Sequence, residues 1–164
     1  MKYILMFFTF LSVCTTAELL QIPLTLDTSR TFTIPKGLTL FAETITVSPS
    51  NDPDFQKYLD KIKGYTIESV SFSVSNVQGN DPYAFADVLT SITVEFPASG
   101  FSSKRFDLLY DGKDVDLGLS GEQLAKMAES IQKNGSMDIN VSGYLLNFEG
   151  KFDLKIKINL KIKV

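Results

Sequence analysis

From Phe152 to Val164 the chain alternates without a break. Phe152, Leu154, Ile156, Ile158, Leu160, Ile162 and Val164 are apolar, and Asp153, Lys155, Lys157, Asn159, Lys161 and Lys163 stand between them. Successive side chains of a strand point to opposite faces, so this period predicts a strand with one buried and one wet face. At about 3.3 Å per residue it runs roughly 40 Å. An apolar ribbon of that length must be covered by a second layer, which commits the chain to a layered β architecture.

The same period recurs upstream. Val70, Phe72 and Val74 alternate with serines, and Ile92, Val94 and Phe96 alternate with Ser91, Thr93 and Glu95. Leu19–Leu26, Thr31–Ile34 and Leu38–Val47 read as further strands, with Pro23 confining the first to an edge or an irregular position because proline donates nothing to a ladder. Asp111–Gly112 suits a tight hairpin between short apolar runs. Met137–Phe148 reads as the strand before the last, and the Gly150-containing turn Asn147–Lys151 predicts that the two form a hairpin.

Two segments carry helical spacing instead. Asn51 and Asp52 precede Pro53, Phe55, Leu59 and Ile62 follow at helical intervals, and Gly64 closes a short helix over about 53–63. Ser120 with Gln123 forms a capping-box pattern, Leu124, Met127, Ala128 and Ile131 make one apolar stripe, and Asn134–Gly135 stops a second helix over about 121–133. Connections this short favour antiparallel pairing. The expected fold is mainly β: an antiparallel β-sandwich or strongly curved sheet with two short amphipathic helices.

The N-terminus reads as an address. Lys2 leads an apolar run, Tyr3–Val13, which is too short to span a bilayer, since crossing needs about 20 apolar residues. With the small residues Thr15, Thr16 and Ala17 after it, the run fits a signal peptide over residues 1–17, leaving one β-rich domain over 18–164. Cys14 closes the run and is the sole cysteine in the chain. Leu11-Ser12-Val13-Cys14 resembles a bacterial lipobox, in which the cysteine is acylated and becomes the first residue; Val13 departs from the small residue usual at that place. Two alternatives stand beside lipid attachment at Cys14: a leader that is discarded whole, and a buried first strand of a cytosolic protein.

Composition limits the chemistry. With no histidine there is no Ser-His-Asp or Cys-His system and no histidine-ligated zinc, and no glycine-rich phosphate loop is present. A domain over 18–164 contains no cysteine, so packing must stabilise it without disulfides. Carboxylates are the remaining candidates for catalysis or cation binding, and Asp107, Asp111, Asp114 and Asp116 form the obvious cluster, but their spacing departs from a calcium loop and suits a polar hairpin. Asp52 and Asp54 are accounted for by a helix N-terminus. Asn134 and Asn140 each begin a glycosylation sequon, with a helix end and a solvent-facing strand position as their structural alternatives. No catalytic residue, cofactor or metal is expected.

Charge is unevenly placed. Residues 151–164 carry five lysines and one aspartate, a local +4, which leaves −8 on residues 18–150. The overall acidity argues against a nucleic-acid partner. Lys155, Lys157, Lys161 and Lys163 form a row on one face of the last strand, a candidate anion-contacting surface for lipid headgroups or an acidic glycan. The alternative is a solvated face, or one paired with acids of neighbouring strands. The opposite, apolar face either fills a core or lines a cavity for a lipid.

In outline, the leader, the strand order and the two helices resemble uncharacterised small envelope lipoproteins of bacteria and, more distantly, the β-sandwich of late-embryogenesis-abundant type proteins. That resemblance carries no functional residues. It implies an exported, envelope-associated β-sandwich acting as a non-enzymatic binding or structural module, anchored to a membrane through its N-terminus or secreted, with a protein, glycan or lipid partner. A carrier that sequesters a lipid or other hydrophobic small molecule is the alternative, and an enzyme working through carboxylates comes third.

Overall fold

The computed structural model describes residues 19–80, 88, 91–103, 112–145 and 148–164. Two antiparallel sheets of four strands each make up the body. One has the order β1 (Gln21–Ile34), β8 (Gly150–Lys163), β3 (Gly64–Gly79) and β6 (Val115–Asp116). The other has the order β2 (Leu40–Val47), β7 (Met137–Tyr144), β4 (Ile92–Phe96) and β5 (Phe101–Ser102). The chain crosses from sheet to sheet after β1, β2, β3, β5, β6 and β7, which is the winding of an eight-stranded jelly roll. The sheets do not close on each other, and the fold is the β-sandwich with helical segments that the sequence predicts.

β8 holds the centre of its sheet. It pairs with β1 from Gln21↔Lys163 to Ile34↔Gly150 and with β3 from Gly64↔Lys163 to Gly79↔Gly150. Phe152, Leu154, Ile156, Ile158, Leu160 and Ile162 are each no more than 1% exposed, and share one core with Val94, Phe96, Ile139 and Val141 of the other sheet. The alternation is strict because this strand has a neighbour on both sides and a second sheet over one face, so a misplaced side chain would have nowhere to go. Phe32 stacks on Phe152 at 5.2 Å between ring centres, while Phe148 meets Phe152 edge-on at 6.4 Å.

The expected hairpin of the last two strands does not form. β7 pairs with β2 and β4, whereas β8 pairs with β1 and β3, so the connection between them passes from one sheet to the other. The cause lies in the connection. Leu145 and Phe148 are 1% and 3% exposed, and the Leu145 backbone N–H donates to the Thr39 carbonyl at 3.0 Å. A hairpin turn would hold these apolar side chains out in water; a crossing between layers carries them into the core.

Two more expectations are refined. The two N-terminal strands are one, because residues 27–30 stay in register with β8 and the backbone ladder carries the chain through. Pro23 sits in this strand opposite Lys161, on a sheet edge where a missing N–H is tolerated. The helix expected over 53–63 is a single α turn, α1 (Pro53–Gln56), between 3-10 turns at Pro49–Asn51 and Leu59–Lys61. Asp52 caps it, its Oδ1 accepting from the Asp54 and Phe55 backbone N–H groups at 2.8 and 3.3 Å. Phe55, Tyr58 and Ile62 turn inward from separate turns while Leu59 stays 40% exposed, so the apolar residues reach the core without a continuous helix.

The second helix matches its sequence. α2 (Gly121–Asn134) opens on the reciprocal Ser120–Gln123 capping box and ends at Gly135 with φ +71°, a left-handed position that glycine occupies without strain. Met127, Ala128 and Ile131 are buried, and the helix lies against β3 and the 3-10 turn Pro97–Ser99. Asp111 of the expected Asp-Gly hairpin lies outside the described residues; Gly112 adopts φ +71° and its N–H donates to the Val74 carbonyl at 2.8 Å.

Candidate functional site

The outer face of the β1-β8-β3 sheet gathers the lysine row and the acids that the charge asymmetry places elsewhere in the sequence. Because β8 is central, each outward side chain has neighbours on both flanks. Asp153 accepts from Thr31 Oγ1 at 2.6 Å on one side and from Asn76 Nδ2 at 2.7 Å on the other. Lys155 pairs with Asp27 of β1 at 2.7 Å, and Lys157 pairs with Asp114, just ahead of β6. Asn159 accepts from Thr25 Oγ1 and donates to Ser69 Oγ, both at 3.0 Å. Lys161 pairs with Glu68 of β3 at 2.5 Å. Lys163, at the end of the strand, forms no ion pair among the described residues.

Two bulges in β3 complete this network. Register slips once between Ile67 and Ser69, making Glu68 an extra residue set beside Lys161, and again between Ser75 and Gln78. Asn76 lies in the second slip at φ +53°, a left-handed conformation that asparagine tolerates better than most residues, and its amide thereby reaches Asp153.

The hydrogen bond from Lys157 holds the Asp114 carboxyl below its ordinary value of 3.8, and the same contact raises Lys157 above 10.5. Asp153 is likewise lowered from 3.8, first by Asn76 and then by Thr31. A carboxylate depressed in the folded state stabilises fully above its unfolded pKa, and that contribution disappears as pH falls through the folded value; a raised lysine stabilises fully below its unfolded pKa and is lost as pH rises through its folded value. Urea midpoints are therefore expected to stay level through neutral pH and to fall on the acid side below about pH 4. Asp153→Asn should flatten part of that acid-side fall, and an acid limb identical to the parent's would contradict the pairing. The effect is modest, because these side chains are exposed enough for solvent to screen their interactions.

Other candidates resolve individually. Asp107 and Asp111 lie outside the described residues, as does Cys14. Asp116 Oδ1 accepts from the Gly118 N–H at 2.8 Å, a local turn contact, and Asp54 pairs with Lys57 at 2.6 Å. Asn134 ends α2 with its amide 3.4 Å from Ser130 Oγ, and Asn140 on β7 accepts from Thr44 Oγ1 at 2.9 Å. Among the described residues no three acidic, cysteine or histidine side chains are grouped as a metal site, and no helix is long and apolar enough to cross a membrane. A surface groove of about 450 Å³ lies between α2 and the start of β3, lined by Tyr65, Ile67, Leu124 and Ala128 among others.

The fold thus defines a jelly-roll β-sandwich with a self-paired polar face. No family model matches the chain, and no curated protein matches it. Among solved structures it is similar to the BFDV capsid protein in its 60-mer form, with 13% identity, 90% of this chain and 95% of that chain covered, and a TM-score of 0.44. The decameric BFDV capsid protein gives 13% identity, 87% and 99% coverage and a TM-score of 0.46. The Desmodium yellow mottle tymovirus structure gives 12% identity, 99% and 96% coverage and a TM-score of 0.36. At such identities and scores, no property of those proteins passes to this chain.

Proposed function

We propose that the chain is an exported, envelope-associated β-sandwich that works as a non-enzymatic binding or structural module. The observation that carries the non-enzymatic part is how its acids are used. Asp27, Glu43, Glu68 and Asp114 each face a lysine or arginine, while Asp52 and Asp116 hold backbone N–H groups. Carboxylates committed in this way serve the sheets, and a hydrolytic pair needs two carboxyl groups facing across a cleft at about 5–9.5 Å. Export is supported by the leader pattern of residues 1–17: Lys2, the short apolar run Tyr3–Val13 and the small residues Thr15, Thr16 and Ala17.

The groove beneath α2 favours a second reading, a carrier of a lipid or other hydrophobic molecule. It is mostly apolar, with Glu129 and Gln132 also in its lining, and of a size that small ligands occupy, about 300–1,000 Å³. Mass spectrometry under native conditions, on protein purified from its own host, separates the two. A module is expected to fly free of small ligands; a stoichiometric lipid adduct would replace that reading with the carrier.

A further inference from the structure

We propose that the end of the sandwich where β1 and β3 begin and β8 ends is a contact surface for an anionic phospholipid bilayer. Three chain segments converge there. Gln21 and Gly64 are both register partners of Lys163, the Lys63 N–H donates to the Lys163 carbonyl at 2.8 Å, and the Val164 N–H donates to the Leu20 carbonyl at 3.0 Å. The turn Leu59–Lys61 runs directly into Lys63.

The lysines of this end differ from those of the sheet face. Lys155, Lys157 and Lys161 are neutralised by Asp27, Asp114 and Glu68. Lys61, Lys63 and Lys163 have no ion-pair partner among the described residues, and Asp60, in the same turn, offsets one of the three charges. Beside them Leu19, Leu20 and Leu59 are 41%, 64% and 40% exposed. Free lysines set among exposed leucines match a bilayer interface: the ammonium groups meet anionic headgroups, the leucines enter the acyl boundary, and each basic residue near such a surface contributes about 1 kcal/mol.

Residues 1–18 also join the domain here. Cys14 precedes Leu20 by six residues, a length that reaches at most about 20 Å when extended. A lipid on Cys14 would hold this end, not the opposite one, against the membrane. The inference deepens the envelope reading and rests on it: three lysines outside any ion pair among the described residues and three exposed leucines supply the surface, and the attachment of the N-terminal segment selects this end over the opposite one. The opposite end also exposes apolar residues, Leu38, Leu40 and Tyr144, near Lys36 and Lys151, and supplies the control.

Full-length Cys14→Ser protein, which cannot be acylated, is mixed with vesicles of phosphatidylcholine alone or with phosphatidylglycerol added, and partitioning is measured by sedimentation. Binding to the anionic vesicles should exceed binding to the neutral ones. Combined Lys61→Ser, Lys63→Ser and Lys163→Ser should weaken it on the order of 10²-fold, while Lys36→Ser with Lys151→Ser leaves it unchanged. The N-terminal segment is the same in every variant, and binding to neutral vesicles, subtracted for each variant, removes its apolar contribution. Equal binding by the triple variant, or an equal loss with the Lys36 and Lys151 pair, overturns the surface. An unprocessed, membrane-free protein in the host would instead overturn the envelope reading, and the vesicle comparison would still stand on its own.

Discussion

Ile156→Asp is expected to leave no cooperatively folded protein at 25 °C. Ile156 is fully buried in the centre of the strand that organises one sheet, with Phe72 of β3 and Thr28 of β1 as its register partners. The substitution forfeits the isoleucine's burial, about 2–5 kcal/mol when such a side chain is cut back. It also places a carboxyl group where nothing can pair with it, a further cost of roughly 2–7 kcal/mol even for an uncharged polar group. Together these come to about 4–12 kcal/mol, comparable to the 5–15 kcal/mol that typical domains have in total. Lys157→Ala, one residue along, removes a partly exposed ion pair with Asp114 that solvent screens, and should leave the urea midpoint close to the parent's. Urea unfolding followed by circular dichroism checks both, and a folded Ile156→Asp protein with a parent-like midpoint would overturn the assignment of faces.

The second large effect is expected at Gly150. This residue opens β8 opposite Gly79, and a Cβ placed on it would lie 1.9 Å from the Gln78 carbonyl oxygen and 2.8 Å from the Gln78 carbonyl carbon. Backbone, unlike the tip of a long side chain, cannot step aside without breaking the β3–β8 ladder near its bulge. The φ of +158° adds strain for any residue with a side chain. Gly150→Ala should therefore destabilise by roughly 3 kcal/mol, at the upper end of overpacking effects, and disturb the Phe148–Phe152 contact next to it. Gly37→Ala provides the comparison, because its φ of +83° is strained but nothing lies within 4 Å of the added carbon. A Gly150→Ala protein as stable as its parent would mean that β3 and β8 approach less closely at this point.

The faces of the strands were legible in the sequence, but their partners were not. Period two reports which side chains go inward, and β8, β3 and β4 bury the residues that the alternation marks. Pairing depends on where connections cross, and the crossing between β7 and β8 is marked only by two buried side chains, Leu145 and Phe148, beside a glycine-containing segment with the composition of a turn. α2 could be read almost to the residue because its cap, stripe and stop are all local. α1 could not, since tertiary packing drew Phe55, Tyr58 and Ile62 inward from separate turns and left the Phe55–Leu59 spacing unused.

The lysine row shows the same division. Its alternation placed four lysines on one face, and the −8 on the preceding residues signalled acids to meet them. Which acids did so depended on sheet order and on a bulge at Glu68, neither of which leaves a local sequence signal. The free lysines 61, 63 and 163 are brought to one end by strands far apart in the chain, so no pattern within any single segment marks them as a group.

The central claim is that the working protein is the exported jelly roll without its leader. Intact mass under denaturing conditions, measured on protein from its own host, tests this most directly. The account predicts a species lighter than the 18.2 kDa of the full chain, beginning either at Cys14 with acyl chains added or at Glu18 with none. A native protein of full-chain mass, retaining Met1–Val13, would contradict it.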